Sequence, residues 1–173
     1  ILKRVDHCIF QSKRYYDTST LPHKHYIPAG VDLNIFKPSI TIGVVGIMRA
    51  RKGTKLLSEL LKQPGLENFN FSVCGPRWGS FVESRKQSVD IKHTTYVPYE
   101  DMPKLYHSFD YLLITSEEEG GPLTMLEALA CGVPVITTDV GYAGELDVQT
   151  YSTLDELTTI LKTIGNEHRD KVL

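Results

Sequence analysis

Residues 111–138 read YLLITSEEEGGPLTMLEALACGVPVITT. Tyr111 to Thr115 is an apolar, strand-like run. Leu123 to Cys131 carries apolar residues at helical spacing, and Val133 to Thr138 is again β-branched and apolar. Gly132 fits a helix C-terminus between the last two segments. Strand, helix and strand in this order predict a unit of a parallel α/β sheet.

The same alternation extends in both directions. Upstream, Ile40 to Met48 reads as a strand buried on both faces. Thr54 to Lys62 reads as a helix with Leu56, Leu57, Leu60 and Leu61 on one side. Further strands are expected at Phe69 to Cys74 and Ile91 to Val97, with a short helix over Phe81 to Gln87. Asp101 is placed to N-cap a helix carrying Leu105, Tyr106 and Phe109. Downstream, Leu154, Leu157, Ile160, Leu161 and Ile164 predict an amphipathic helix over Thr153 to Ile164. At the start, a strand over Val5 to Phe10 and a short helix over Ser12 to Thr18 precede a linker punctuated by Pro22, Pro28, Gly30 and Pro38. The predicted fold is α/β, an open doubly wound parallel sheet of Rossmann-like type. In such sheets ligands bind outside the carboxyl ends of the strands, so the loops after Met48, Cys74, Val97, Thr115 and Thr138 should share one rim.

The bulk numbers suit a globular chain of 173 residues, with 41% hydrophobic and 23% charged residues. A net charge of -2 gives no field to attract nucleic acid or an anionic membrane. Cys8, Cys74 and Cys131 are odd in number and widely spaced, as expected of free thiols in a reducing compartment. No apolar run is long enough to span a bilayer. The chain begins at Ile1 with a strand already under way, so it reads as a piece of a longer protein, cytoplasmic, with any membrane attachment peripheral and through the missing part.

Glu127 is the only charged side chain between Gly120 and Thr138. A carboxylate in so apolar a helix needs either water or hydrogen-bond partners. Glu119 precedes the Gly120-Gly121 turn, whose bare backbone lets a ligand approach, and Pro122 suits the first helical position. The amides at this helix start can accept a phosphate. With Leu123 opening the helix, Glu127 lies about 6 Å further along its axis, so two carboxylates can grip an extended polyhydroxylated ligand. The plainer alternative makes Glu117 to Glu119 a solvated acidic turn and Glu127 a surface residue. Arg49, Arg51 and Lys52 follow the strand at Ile40; they either neutralise a diphosphate or lie on a solvated surface. The loop is not a P-loop, and no dinucleotide fingerprint is present. The histidines lack zinc-type spacing, so no metal is expected. Exposure is expected for His23 and His25. Trp78 is expected to pack on its neighbours rather than cover a ligand.

The run Ser116 to Ile136 resembles the Glu-x7-Glu region of the retaining glycosyltransferases of family 4, which have the two-domain GT-B fold. Ile27-Pro28-Ala29-Gly30-Val31-Asp32, with Phe36 and Pro38, is similar to that family's interdomain segment. Gly46 followed by Lys52-Gly53 is similar to its phosphate-contacting loop, and Tyr96-Val97-Pro98 and Leu105-Tyr106 before Asp110 fall between in the right order. The resemblance implies the C-terminal, nucleotide-sugar-binding lobe over 40–173, an interdomain linker over 29–39, and the end of the N-terminal acceptor lobe over 1–28. It further implies that Glu119 contacts the donor sugar and Glu127 the ribose. Gly120, Gly121, Pro122 and Leu123 would lie near the sugar and diphosphate, Lys52 would stabilise the departing diphosphate, and the backbone at Tyr96 and Val97 would border the base. No metal or other cofactor is implied. The partners implied are a nucleotide-sugar donor, a glycan or lipid-linked acceptor of polysaccharide biosynthesis, and the N-terminal domain. The family often has Arg directly after the glycine at Gly46; here Ile47 stands there, leaving Arg49 or Arg51 to reach the phosphates. Many members have Phe-Gly where this chain has Gly121-Pro122. Two rivals remain: another GT-B enzyme, such as a nucleotide-sugar epimerase or sugar-phosphate synthase, and a non-catalytic nucleotide-sugar-binding module.

Overall fold

The computed structural model describes residues 7–30, 39–85 and 89–172. Expectations for Val5, Asp6, Val31, Asp32, Phe36, Pro38 and Gln87 lie outside the described residues. The chain divides into two compact units, Ile1–Lys37 and Pro38–Leu173.

In the first unit, β1 (Cys8–Phe10) and β2 (Lys24–Tyr26) pair in parallel around α1 (Lys13–Thr18). The segment read as a linker thus contributes a strand. Three residues with one apolar member give no period to detect. Lys24 donates from its ammonium to the carbonyls of Tyr16 (2.7 Å) and Ser19 (2.9 Å), satisfying the end of α1. His23 and His25 are exposed, as expected. Pairing of the strands gathers them with His7, whose Nδ1 lies 3.0 Å from His25 Nε2.

The second unit is a six-stranded sheet in the order β5-β4-β3-β6-β7-β8, parallel throughout. Its strands are β3 (Ile40–Val45), β4 (Phe69–Cys74), β5 (Asp90–Thr94), β6 (Tyr111–Ile114), β7 (Val135–Thr138) and β8 (Gln149–Tyr151). Its helices are α2 (Thr54–Leu60), α3 (Gly79–Glu83), α4 (Met102–Tyr106), α5 (Leu123–Ala130) and α6 (Leu154–Val172). Both faces are covered, so β6 reads as a continuous apolar run and its side chains sort alternately. Leu113 joins Leu57, Leu60, Phe81, Leu157 and Leu161 from α2, α3 and α6. Leu112 and Ile114 join Tyr106, Met125 and Ala128 from α4 and α5. Leu57 and Leu112 are wholly buried, and truncating either to alanine should cost about 2–5 kcal/mol.

The doubly wound expectation is met, with boundary differences that have local causes. The strand from Ile40 ends at Val45 rather than Met48, because Gly46 takes φ 135° and turns the chain. The strand at Ile91 stops at Thr94 rather than Val97, since its partner β4 ends at Cys74. Phe109 is buried but lies beyond α4, and Asp101 gives no side-chain cap to that helix; its carboxylate instead accepts from Lys104 at 2.7 Å. Trp78 is buried, its Nε1–H donating to the Gly46 carbonyl at 2.7 Å. The last helix runs on to Val172, past the apolar stripe. Its start is a capping box: Thr153 Oγ1 accepts from the Glu156 N–H at 3.1 Å, and the Glu156 carboxylate accepts from the Thr153 N–H at 3.3 Å and from the Ser152 N–H at 2.7 Å. The edge strand β8 was not expected.

Candidate functional site

From β3 the chain winds outward through β4 and β5, then returns beside β3 as β6 and winds the other way through β7 and β8. The loops after β3 and β6 therefore diverge from neighbouring strands and open a crevice at their carboxyl ends. Their inner walls are locked together. Ala50–Lys52 forms one turn of 3-10 helix, closed by Gly53 at φ 67°. A Cβ at Gly53 would lie 1.6 Å from the Thr115 carbonyl oxygen, so only glycine permits this approach. The Glu117 N–H donates to the Arg51 carbonyl (2.8 Å), and Thr115 Oγ1 donates to the Lys52 carbonyl (2.7 Å).

This docking sets two cations against one carboxylate. The Lys52 ammonium pairs with Glu119 Oε1, and Arg51 Nη1 lies 3.2 Å from Oε2 while also donating to the Glu118 carbonyl at 3.0 Å. Ser116 Oγ donates to Glu119 Oε1 at 2.8 Å. The Glu119 side chain is only 9% exposed. Burial alone would push its carboxyl up, but the hydrogen bonds from Lys52, Ser116 and Arg51 outweigh that and hold it below its ordinary value. Glu117 and Glu118 are exposed, so a solvated acidic turn describes them and not Glu119. The Lys52 ammonium also lies beside Gly46, where a Cβ would stand 3.8 Å from Nζ.

The glycine-rich turn continues the rim. Gly120 is open, a Cβ there meeting nothing within 4 Å. Pro122 is buried and occupies the N-cap rather than the first helical position; its carbonyl accepts from the Met125 N–H at 3.0 Å. Leu123, the first helical residue, is 68% exposed. At the far end, Gly132 at φ 75° closes α5: its N–H bonds to the Leu129 carbonyl and that of Val133 to Ala128, both at 2.9 Å. The helix is thus closed at both ends by backbone hydrogen bonds.

Glu127 belongs to a different group. Half-buried on α5, it accepts a 2.6 Å hydrogen bond from the Tyr106 hydroxyl on α4. It lines a cavity of about 190 Å³ with Tyr99, Met102, Pro103, Ala130 and Cys131. Burial, and then the bond to Glu127, push the Tyr106 phenol far above its ordinary value, so it stays a donor. The polar partner that this helix position requires is therefore a protein hydroxyl, which the sequence reading did not foresee.

The remaining expected residues lie on the same rim. Arg49 is exposed, opening the turn that carries Lys52, and Ile47 is half-buried. Tyr96 is 77% exposed in the loop after β5, with Val97 half-buried beside it. β4 separates that strand from β3. Among the described residues, no three His, Cys, Asp or Glu side chains are grouped to hold a metal ion. Sequence reasoning missed Ser116 as a partner of Glu119. Its place three residues before that carboxylate, in a tight turn, was the available signal.

Comparison with known proteins bears on the family and the fold. Residues 31–151 match the model of a family described as Glycosyl transferases group 1. The chain is 26% identical over 172 residues to the lipopolysaccharide core biosynthesis mannosyltransferase LpsB of Rhizobium meliloti, covering 84% of this chain and 49% of that protein. It thus spans about half that relative's length. The C-terminal domain of the group 1 protein LpcC from Francisella tularensis superposes with a TM-score of 0.57 at 22% identity, covering 81% of this chain and 91% of that one. Anabaena HepE, solved with UDP-glucose, gives 0.60 at 18% identity over 97% of this chain and 57% of that one. At these identities the two structures show a common fold, that of GT-B C-terminal domains. No helix among the described residues is long and apolar enough to cross a membrane.

Proposed function

We propose that this chain, which belongs to the group 1 glycosyl transferases, is the donor-binding lobe of a retaining enzyme of family 4. It would hold a nucleoside-diphosphate sugar while a second, N-terminal domain presents a glycan or lipid-linked acceptor. In this reading the lobe spans 40–173, after a linker over 29–39. The observation that carries it is the Lys52–Glu119–Arg51 group at the switch point, beside the open backbone of Gly120. A buried, ionised carboxylate accepts hydrogen bonds from vicinal hydroxyls. The adjacent ammonium meets the diphosphate charge that develops as the sugar's C1–O bond breaks, the acceptor hydroxyl oxygen bonds to C1 and its proton passes to the departing diphosphate.

Glu119 thus orients the sugar, and Lys52, with the amides opening α5, stabilises the leaving group without a metal. Arg51, held by the Glu118 carbonyl and the Glu119 carboxylate, is better placed than Arg49 to take the role left open by Ile47. Glu127 receives the ribose hydroxyls on the carboxylate oxygen that Tyr106 leaves free, and the backbone at Tyr96 and Val97 borders the base. The mannosyltransferase relative and the UDP-glucose complex of HepE support nucleoside-diphosphate mannoses and UDP-glucose as the first donors to try. A thermal-shift panel of UDP, GDP, ADP and CMP sugars tests the reading, because a ligand that binds only the folded state raises Tm. Absence of a shift with every donor at millimolar concentration defeats it.

A further inference from the structure

The loop after β7 crosses onto the glycine-rich turn and places Tyr142 there. A Cβ at Gly141 would stand 2.6 Å from Pro122 Cδ and 3.0 Å from Gly121 Cα, so the two loops touch backbone to backbone. The end of β7 is tied down as well: Thr138 Oγ1 donates to the Ser116 carbonyl, next to the residues that hold Glu119. The backbone of Tyr142 is set by the short turn Ala143–Glu145, whose Glu145 N–H bonds to the Tyr142 carbonyl at 2.9 Å, and by burial of Val140 and Ala143. Its ring then fills the space that a side chain at position 121 would claim. Cε2, Cζ and the hydroxyl oxygen all lie 2.6 Å from where a Gly121 Cβ would be. The ring is 38% exposed, and among the described residues its hydroxyl makes no hydrogen bond.

An exposed phenol on the bare backbone two residues from Glu119 offers what a polyhydroxylated ligand needs. It supplies a flat apolar wall and one donor–acceptor group with no competing partner among the described residues. With glycine at 121 the turn itself carries no side chain there, and the aromatic ring comes in from the neighbouring loop.

We propose that Tyr142 is a specificity-determining residue of the donor site, walling its sugar end and hydrogen bonding to a sugar hydroxyl. This rests on the donor-binding reading above and assigns a contact to the sugar rather than to the nucleotide. The test is titration calorimetry of the whole chain with GDP-mannose and UDP-glucose, each beside its sugar-free diphosphate, GDP and UDP. For the donor that binds, Tyr142→Phe should weaken the nucleotide sugar about 3- to 10-fold, the range of one hydrogen bond, and leave the bare diphosphate unchanged. Equal change in both, or in neither, overturns the proposal while leaving the donor site standing. Failure of the unaltered chain to bind any of the four ligands overturns both readings together. Packing is checked separately by Tm. Gly121→Ala alone should destabilise, because its methyl meets the ring, and should recover in combination with Tyr142→Ala. Persistence of the full loss in the double variant contradicts the arrangement.

Discussion

Glu119 and Glu127 are neighbours in sequence held by opposite means. Glu119 sits between two cations on a loop, nearly buried, its charge enforced by Lys52, Ser116 and Arg51. Glu127 sits on a helix, half-exposed to a small cavity, aimed by a neutral phenol. The first arrangement fixes a charge state, and the second fixes a direction. On the reading proposed above, a ligand reaching both would meet a strong field at one end and an aimed acceptor at the other.

The contrast can be broken experimentally, beginning where the effect should be largest. In the complete protein, Lys52→Ala should lower the transfer rate about 100- to 1000-fold, the loss typical of one preorganised charge-stabilising donor. An unchanged kcat separates the ion pair from chemistry. Glu119→Gln leaves Lys52 and Arg51 without their counter-charge and should cost about 1.5–3 kcal/mol of stability near neutral pH. The pH sign follows from the depressed carboxyl: the folded value lies below the unfolded one. Its contribution is therefore complete above the ordinary glutamate range and disappears as pH falls through the folded value. The Tm gap between the two proteins should accordingly close on acidification; a constant gap refutes the charge argument.

Glu127→Ala should weaken nucleoside diphosphate binding by about 1–3 kcal/mol in calorimetry, with folding verified by circular dichroism. Tyr106→Phe should follow in the same direction by about 0.5–1.5 kcal/mol, raising KM more than it lowers kcat, since it only releases the orientation of Glu127. Equal losses from both substitutions erase the distinction between aiming and binding. The smallest expected effect is that of EDTA, which should leave transfer unaltered if Lys52 and the start of α5 handle the leaving group. Activity restored by a divalent ion after chelation would reverse that view.

Much of this was legible in the chain itself. Ile40, Phe69, Tyr111 and Val135 open short runs rich in β-branched and aromatic residues that alternate with helical stretches, so the doubly wound α/β class was legible, though not the order of the strands. What escaped were elements too short to carry a period: Lys24 to Tyr26 and Gln149 to Tyr151 are strands only because a neighbour supplies the hydrogen bonds. The cations and acids of the site could be named by type. That Arg51 and Lys52 both converge on Glu119 required the glycine at 53 to let two loops touch. Tyr106 was readable as a core aromatic, yet nothing local linked its hydroxyl to a residue 21 positions away. Tyr142 gave no signal, because its significance lies in the side chain that Gly121 lacks.

The contact of Gly53 with the Thr115 carbonyl constrains how these loops can be exchanged between homologues. Segments 46–53 and 115–122 cannot be exchanged with those of a homologue one at a time, because each is the mould for the other. A chimera carrying only one foreign segment should misplace the cations even if every charged residue is retained. Recombination breakpoints belong outside all the segments that touch, before Gly46 and after Tyr142.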